Sequence, residues 1–130
     1  MFASCKKSGN SHASYWTFKG IIHYGDAFTL DYDHSLEAFE FSTADKTAVA
    51  FSSLPVKSGV YNVRSIISDS TQCIVYASIG GNDPYASVDQ DAKVSVTVSN
   101  GKITAVYNNV SLKSISSSDL GNVSATLVEE

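Results

Sequence analysis

Apolar and polar residues alternate along most of this chain, most cleanly from Lys93 to Lys113. That stretch reads Lys-Val-Ser-Val-Thr-Val-Ser, then Asn100-Gly101, then Lys-Ile-Thr-Ala-Val-Tyr-Asn. A period of two marks a strand with one buried face. Asn-Gly tolerates the positive φ angles of a type I′ turn, so the two arms are predicted to form a hairpin. A two-residue loop fixes the register, with Ser99 opposite Lys102, Val98 opposite Ile103, Val96 opposite Ala105 and Val94 opposite Tyr107. After Tyr107 the apolar residues move from odd to even positions, Val110 and Leu112. One extra residue restores the phase, which predicts a bulge or strand corner near Asn108-Asn109. Val106 falls off the apolar face, to be covered by a second layer or exposed.

The same period recurs along the chain. Tyr15 to Phe18 is aromatic and strand-prone, with Trp16 and Phe18 on one face, and Gly20 breaks it. Ile21 to Tyr24 follows, and Gly25-Asp26 is a turn. Phe28, Leu30 and Tyr32 alternate with Thr29, Asp31 and Asp33, Phe39 and Phe41 form an apolar pair, and Val49 and Phe51 resume after a Ser42–Lys46 connection. The segment from Ser35 to Glu40 suits a single helical turn. Tyr61 and Val63 alternate after a Lys57-Ser58-Gly59 turn, and Gln72 to Ile79 is a long strand. Gly80-Gly81-Asn82-Asp83-Pro84 is the densest turn cluster, followed by a short strand from Tyr85 to Val88. A final strand holds Val123, Ala125 and Leu127. This pattern gives about nine strands with turn signals at the spacing of an all-β domain. The expected fold is all-β, an antiparallel meander forming a β-sandwich or flattened β-barrel. Residues 15–130 are expected to form that single domain and residues 1–14 a flexible tether.

Composition supports strands. Charged residues make up 17%, below the usual quarter, and Ser and Thr fill the gap, which suits strand exteriors better than helix exteriors. The net charge is −4 and no Lys/Arg cluster exists to neutralise phosphates, so nucleic acid is excluded as a partner. No stretch of about 20 apolar residues spans a membrane as a helix. Of the two cysteines, Cys73 sits in the apolar run Cys-Ile-Val-Tyr and is expected buried, reduced and metal-free. Cys5 lies in the polar tether, which lacks core residues to hold it near Cys73 for a disulfide.

The tether carries one further signal. Phe2-Ala3-Ser4-Cys5 is an apolar residue and two small residues before a cysteine, as in the lipobox of a bacterial lipoprotein. The charged and apolar regions that precede a lipobox are absent from this sequence. A Lys/Ser/Gly/Asn spacer follows, Lys6 to Ser14, reaching at most about 30 Å. The alternative is an ordinary polar N-terminus. Further motifs are Leu54-Pro55…Ser58-Gly59-x-Tyr61-x-Val63, Val75-Tyr76…Gly80-Gly81…Tyr85, and Val94-x-Val96-x-Val98…Gly101-Lys102-Ile103…Asn109-Val110-x-Leu112. Over about residues 15–128 the chain resembles small secreted lipoproteins of the Bacteroidetes type, whose function is poorly defined. The resemblance implies an all-β domain and lipid attachment at Cys5. It implies a bacterial cell-envelope location, outer membrane or cell surface, with the membrane reached through the lipid alone. It brings no catalytic residues.

Candidate chemistry is sparse. His23, Asp31, Asp33 and His34 are ligand types close in sequence, but Asp31 and Asp33 fall on the face opposite Phe28, Leu30 and Tyr32, where exposed acids are ordinary. No Gly-x-Ser-x-Gly elbow appears, and Cys73 has no basic neighbour in sequence to activate it. No catalytic residue, metal or cofactor is therefore assigned, and a hydrolase is the least favoured reading. Asn109-Val-Ser and Asn122-Val-Ser fit the glycosylation pattern of a eukaryotic secreted domain, but the lipobox-like start points elsewhere. Tyr15, Trp16, Tyr24, Tyr76 and Tyr85 are aromatics suited to a carbohydrate or peptide platform. The best binding-loop candidate is Gly80, Gly81, Asn82, Asp83 and Tyr85, because loops on a rigid β scaffold carry function. The expected function is non-enzymatic binding of a glycan, peptide or protein partner at the cell surface. The alternative is a purely structural surface domain with no ligand.

Overall fold

The structure, a computed structural model, describes residues 13–33, 36–41, 45–80 and 82–130. Cys5 with the rest of residues 1–12, His34, Ser35, residues 42–44 and Gly81 lie outside the described residues. Eleven strands form among the described residues: β1 (Ser14–Phe18), β2 (Ile21–Gly25), β3 (Ala27–Asp33), β4 (Leu36–Phe41), β5 (Lys46–Phe51), β6 (Gly59–Val63), β7 (Gln72–Ile79), β8 (Asn82–Ser87), β9 (Lys93–Ser99), β10 (Lys102–Ser114) and β11 (Leu120–Val128). The all-β class is as the alternation dictates. The count exceeds the expected nine, and one strand, Leu36–Phe41, covers the segment expected to hold a helical turn.

All eleven strands belong to one mixed sheet, in the order β2-β1-β11-β10-β9-β6-β7-β5-β4-β3, with β8 paired to both β10 and β7. The expected antiparallel meander is corrected: the neighbours β1–β11, β9–β6, β7–β5 and β10–β8 are not consecutive in the chain, and β6 pairs β7 in parallel through Asn62↔Gln72 and Val63↔Cys73. Residues 64–71 carry the chain from the end of β6 to the start of β7, so the two strands run the same way. The expected helical turn is also corrected, since Leu36–Phe41 is β4 and pairs on both edges. Ser14, read as the end of the tether, opens β1 and is fully buried. Its Oγ accepts from Val128 N at 2.8 Å and donates to Val128 O at 3.1 Å.

The β9–β10 hairpin keeps the predicted register from Ser99↔Lys102 to Val96↔Ala105. Asn100 and Gly101 both have positive φ, 54° and 76°. The ladder ends at Ser95↔Val106, one pair short of the expected Val94–Tyr107, where β10 reaches the irregularity that follows Tyr107. The phase slip also falls where expected. The β10–β11 register shifts between Tyr107 and Val110, and Asn109 takes φ 52°. Asparagine is among the few residues that tolerate this conformation.

One face of the sheet carries the core. Trp16, Phe18, Phe39, Val49, Phe51, Val75, Tyr107, Leu112 and Leu127 belong to a single buried cluster. Tyr107 on β10 and Thr47 on β5 meet across it at 2.7 Å. Thr47 Oγ1 donates its only proton to Tyr76 O, so the Tyr107 hydroxyl is the donor to Thr47. Burial raises the Tyr107 pKa above the ordinary phenol range, and the phenol stays neutral. A smaller cluster of Ala38, Ala50 and Ile74 lies on the other face, with Ile67 packed on it.

The sheet forks between β7 and β10. One edge of β10 pairs β9 over residues 102–106 and β8 over residues 112–114. Between them the Gln90 amide stands in for a strand. Ser111 N donates to its Oε1 at 2.8 Å, and its Nε2 donates to Ser111 O at 2.9 Å. On β7, Val75 N donates to Ser87 Oγ, which donates to Arg64 O. Arg64 Nη1 donates to Gln90 O at 2.9 Å and closes the junction. Replacing Gln90 by alanine strands Ser111 N and leaves Ser111 O with the long bond from Val88 N at 3.4 Å. Gln90→Ala is therefore expected to lower the unfolding free energy by about 1–3 kcal/mol. Urea denaturation with an unchanged m-value checks this, and a loss under about 0.5 kcal/mol, the range of an ordinary surface change, contradicts it.

Cys73 lies fully buried on the inner face of β7 as a free thiol. Burial pushes its pKa up from 9.0 to about 12, and only Arg64 pulls the other way. The folded state thus keeps a proton that the unfolded chain releases. This contribution is intact below the ordinary thiol pKa and is lost as pH rises towards about 12. A thiol reagent at neutral pH is expected to modify Cys73 only on unfolding, and rapid modification of the native protein would contradict this burial.

Candidate functional site

The alternation that buries Trp16 and Phe18 turns Tyr15 and Thr17 outward from β1. Strand pairing then decides what lies beside them. Tyr15 pairs with Tyr24 on β2 and with Thr126 on β11. Thr126 pairs with Val106 on β10, Val106 with Ser95 on β9, and Ser95 with Val60 on β6. Direct partners share a face, so Tyr24, Tyr15, Thr126, Val106, Ser95 and Val60 form one row across six strands. At the usual strand spacing the row spans about 24 Å.

The row is open. Tyr24 is 60% exposed, Tyr15 44% and Val60 59%. The two tyrosine rings sit 6.4 Å apart, tilted by 44°. Val106, out of phase in the sequence, is half-buried and flanked by the Ser95 and Thr126 hydroxyl side chains. No member of the row is charged. Beside it lie Thr17 and exposed Ile22, which pair with each other, Ser124 opposite Thr17, and Thr97 opposite Thr104. The cation at the β9 end, Lys93, donates to Asn62 Oδ1 at 2.7 Å.

The segment expected to be a binding loop is largely strand. Asn82 to Ser87 is β8, so only the turn at Gly80 precedes it, with Gly81 outside the described residues. Gly80 N donates to Asp45 Oδ1 at 2.6 Å. Asp83 takes φ 48° and accepts from Ser114 Oγ and Ser116 Oγ, bonds that hold its carboxyl below the usual range. Ile115 N donates to Pro84 O. Tyr85 is 5% exposed, edge-on to Phe18 at 5.0 Å, and its hydroxyl donates to Asp119. Lys19 also pairs with Asp119 and, with Tyr85, holds that carboxyl below its ordinary pKa. Asp83, Pro84 and Tyr85 therefore clasp the 114–119 loop to the sheet. The sequence missed this because each partner is about 30 residues or more away.

The other candidates separate in the same way. Trp16 is buried and His23 stacks on it at 4.2 Å, with His23 Nδ1 3.7 Å from Asp45 Oδ2. Asp31 and Asp33 lie in β3 on either side of a register shift against β4. Among the described residues no three His, Cys, Asp or Glu side chains converge on a common point. Tyr76 lines a groove of about 180 Å³ with Lys46, Ala48, Ala77, Ser78 and Pro84. That volume suits one small ring or side chain and falls short of the roughly 300–1,000 Å³ of ordinary ligand pockets. Of the five aromatics singled out in the sequence, Tyr15 and Tyr24 stand together on an open face. Val60, Ser95, Val106 and Thr126 were not singled out, though the phase of Val106 was a visible signal.

Comparison of the chain with family models, with curated proteins and with solved structures returned no match.

Proposed function

We propose that this is a non-enzymatic binding domain of the bacterial cell envelope. It is anchored through lipid on Cys5, and it presents the row from Tyr24 to Val60 to a glycan, peptide or protein partner. The observation that carries the reading is the exposed Tyr15–Tyr24 pair, continued across β11, β10, β9 and β6 by uncharged side chains. Tyrosine offers large contact area at low entropic cost, and an uncharged face is cheap to desolvate. The core contact between Tyr107 and Thr47 and the bridge from Ala27 to Glu129 favour a flattened-barrel form for the curved sheet. In that form the row lies on the outside, away from the core.

Arraying the protein against glycans and peptides tests the reading. A ligand retained by the wild type and lost by the Tyr15→Ala/Tyr24→Ala double variant supports it. No ligand on either array, or one bound equally by the folded double variant, contradicts it and leaves the structural-domain alternative.

A further inference from the structure

We propose that the ligand of this face is a neutral, extended glycan, an inference that rests on the binding reading above. Charge complementarity comes first. The row Tyr24, Tyr15, Thr126, Val106, Ser95 and Val60 contains no charged side chain, and neither do the neighbours Thr17, Ile22, Ser124, Thr97 and Thr104; the charged group beside it is Lys93, two residues before Ser95 on β9, which donates to Asn62 Oδ1. A polyionic partner finds no charge within the row and Lys93 at one end of it, so most of its charges lose water without recompense.

Backbone access separates glycan from peptide. Strands β1, β11, β10 and β9, which carry the middle of the row, are paired on both edges. Their N–H and C=O groups serve the sheet, so an incoming chain cannot add as a strand along the row. A peptide laid across it would leave its own amides to side-chain hydroxyls alone. A sugar chain is better matched. The C–H faces of its rings stack on tyrosine and lie on valine, and its hydroxyls exchange hydrogen bonds with Ser95 and Thr126. From Tyr15 to Val60 the apolar and hydroxyl positions alternate, and so do the ring faces and hydroxyl groups of an extended glycan. The row's length of about 24 Å accommodates several successive rings rather than one terminal sugar.

The test is affinity electrophoresis of the full chain through gels of neutral polysaccharides (β-glucan, xylan, mannan) and charged ones (polygalacturonate, chondroitin sulfate). A peptide array runs in parallel, and each binding is measured at low and high salt. At least one neutral polysaccharide is expected to retard the wild type with little change between the two salt levels, since no ion pair is screened. Tyr15→Ala and Tyr24→Ala are each expected to weaken that binding roughly tenfold or more, while unfolding midpoints show both variants folded. Retention by charged polysaccharides or peptides only overturns the glycan proposal. If those ligands are also lost in the tyrosine variants, the face still binds and only the ligand class is wrong. If nothing is retained, or if the tyrosine variants bind as wild type, the binding reading itself fails.

Discussion

Truncation of Trp16 to alanine is expected to cost about 3–5 kcal/mol of unfolding free energy, a large share of the roughly 5–15 kcal/mol a domain has in all. Trp16 is fully buried on the inner face of β1. Its direct partner on β11 is Ala125, whose other partner is Tyr107 on β10. Trp16, Ala125 and Tyr107 thus run large, small, large along one inner row, and the alanine leaves room for both rings. His23 stacks on the indole from β2. Removing the indole opens a cavity that neighbours on three strands cannot fill without leaving their registers. Tyr15, one residue earlier, faces outward, and Tyr15→Ala is expected to cost less than about 1 kcal/mol while weakening ligand binding. Urea unfolding of the two variants checks the contrast. Similar losses for both would mean that β1 does not separate core from surface as its alternation implies.

The second large effect concerns Cys5. With the native upstream sequence in a bacterial host, the wild type is expected to take up a fatty-acid probe and fractionate with membranes. Cys5→Ala is expected to lose both properties entirely. Phe2-Ala3-Ser4 supplies the residues beside the cysteine that a lipoprotein signal peptidase needs. One acyl chain binds a bilayer only marginally, whereas several together anchor stably, and lipoprotein maturation supplies several. The net charge of −4 gives no electrostatic route to anionic lipid. If wild type and Cys5→Ala are equally unlabelled and both stay soluble, the anchor is ruled out.

Local features of this fold were legible in the sequence. The turn at Asn100-Gly101 needs two positive φ angles, and the two residues best able to supply them stand there. The bulge at Asn109 showed as a change of phase between Tyr107 and Val110. The inner face of β1 could be read from alternation alone. Pairings between distant segments were not legible. The parallel β6–β7 pair and the β1–β11 pair depend on where whole segments pack, which no short-range pattern encodes. Pro84 and the glycine cluster read as a loop, yet Pro84 sits in β8, where its missing N–H coincides with a register irregularity against β7. The candidate site was half visible for the same reason. Tyr15 and Tyr24 stood out by residue type. Their continuation through Thr126, Val106, Ser95 and Val60 required the register of four further strands.

The most direct measurement is a heteronuclear NMR titration of the labelled protein with the oligosaccharide of whichever neutral polysaccharide binds. Shift changes are expected to concentrate at Tyr15, Tyr24, Thr126, Val106, Ser95 and Val60, with the groove residues Lys46, Tyr76 and Pro84 unmoved. Changes centred on that groove, or on the β8 clasp at Asp83 and Tyr85, would show that the outer row is not the binding surface.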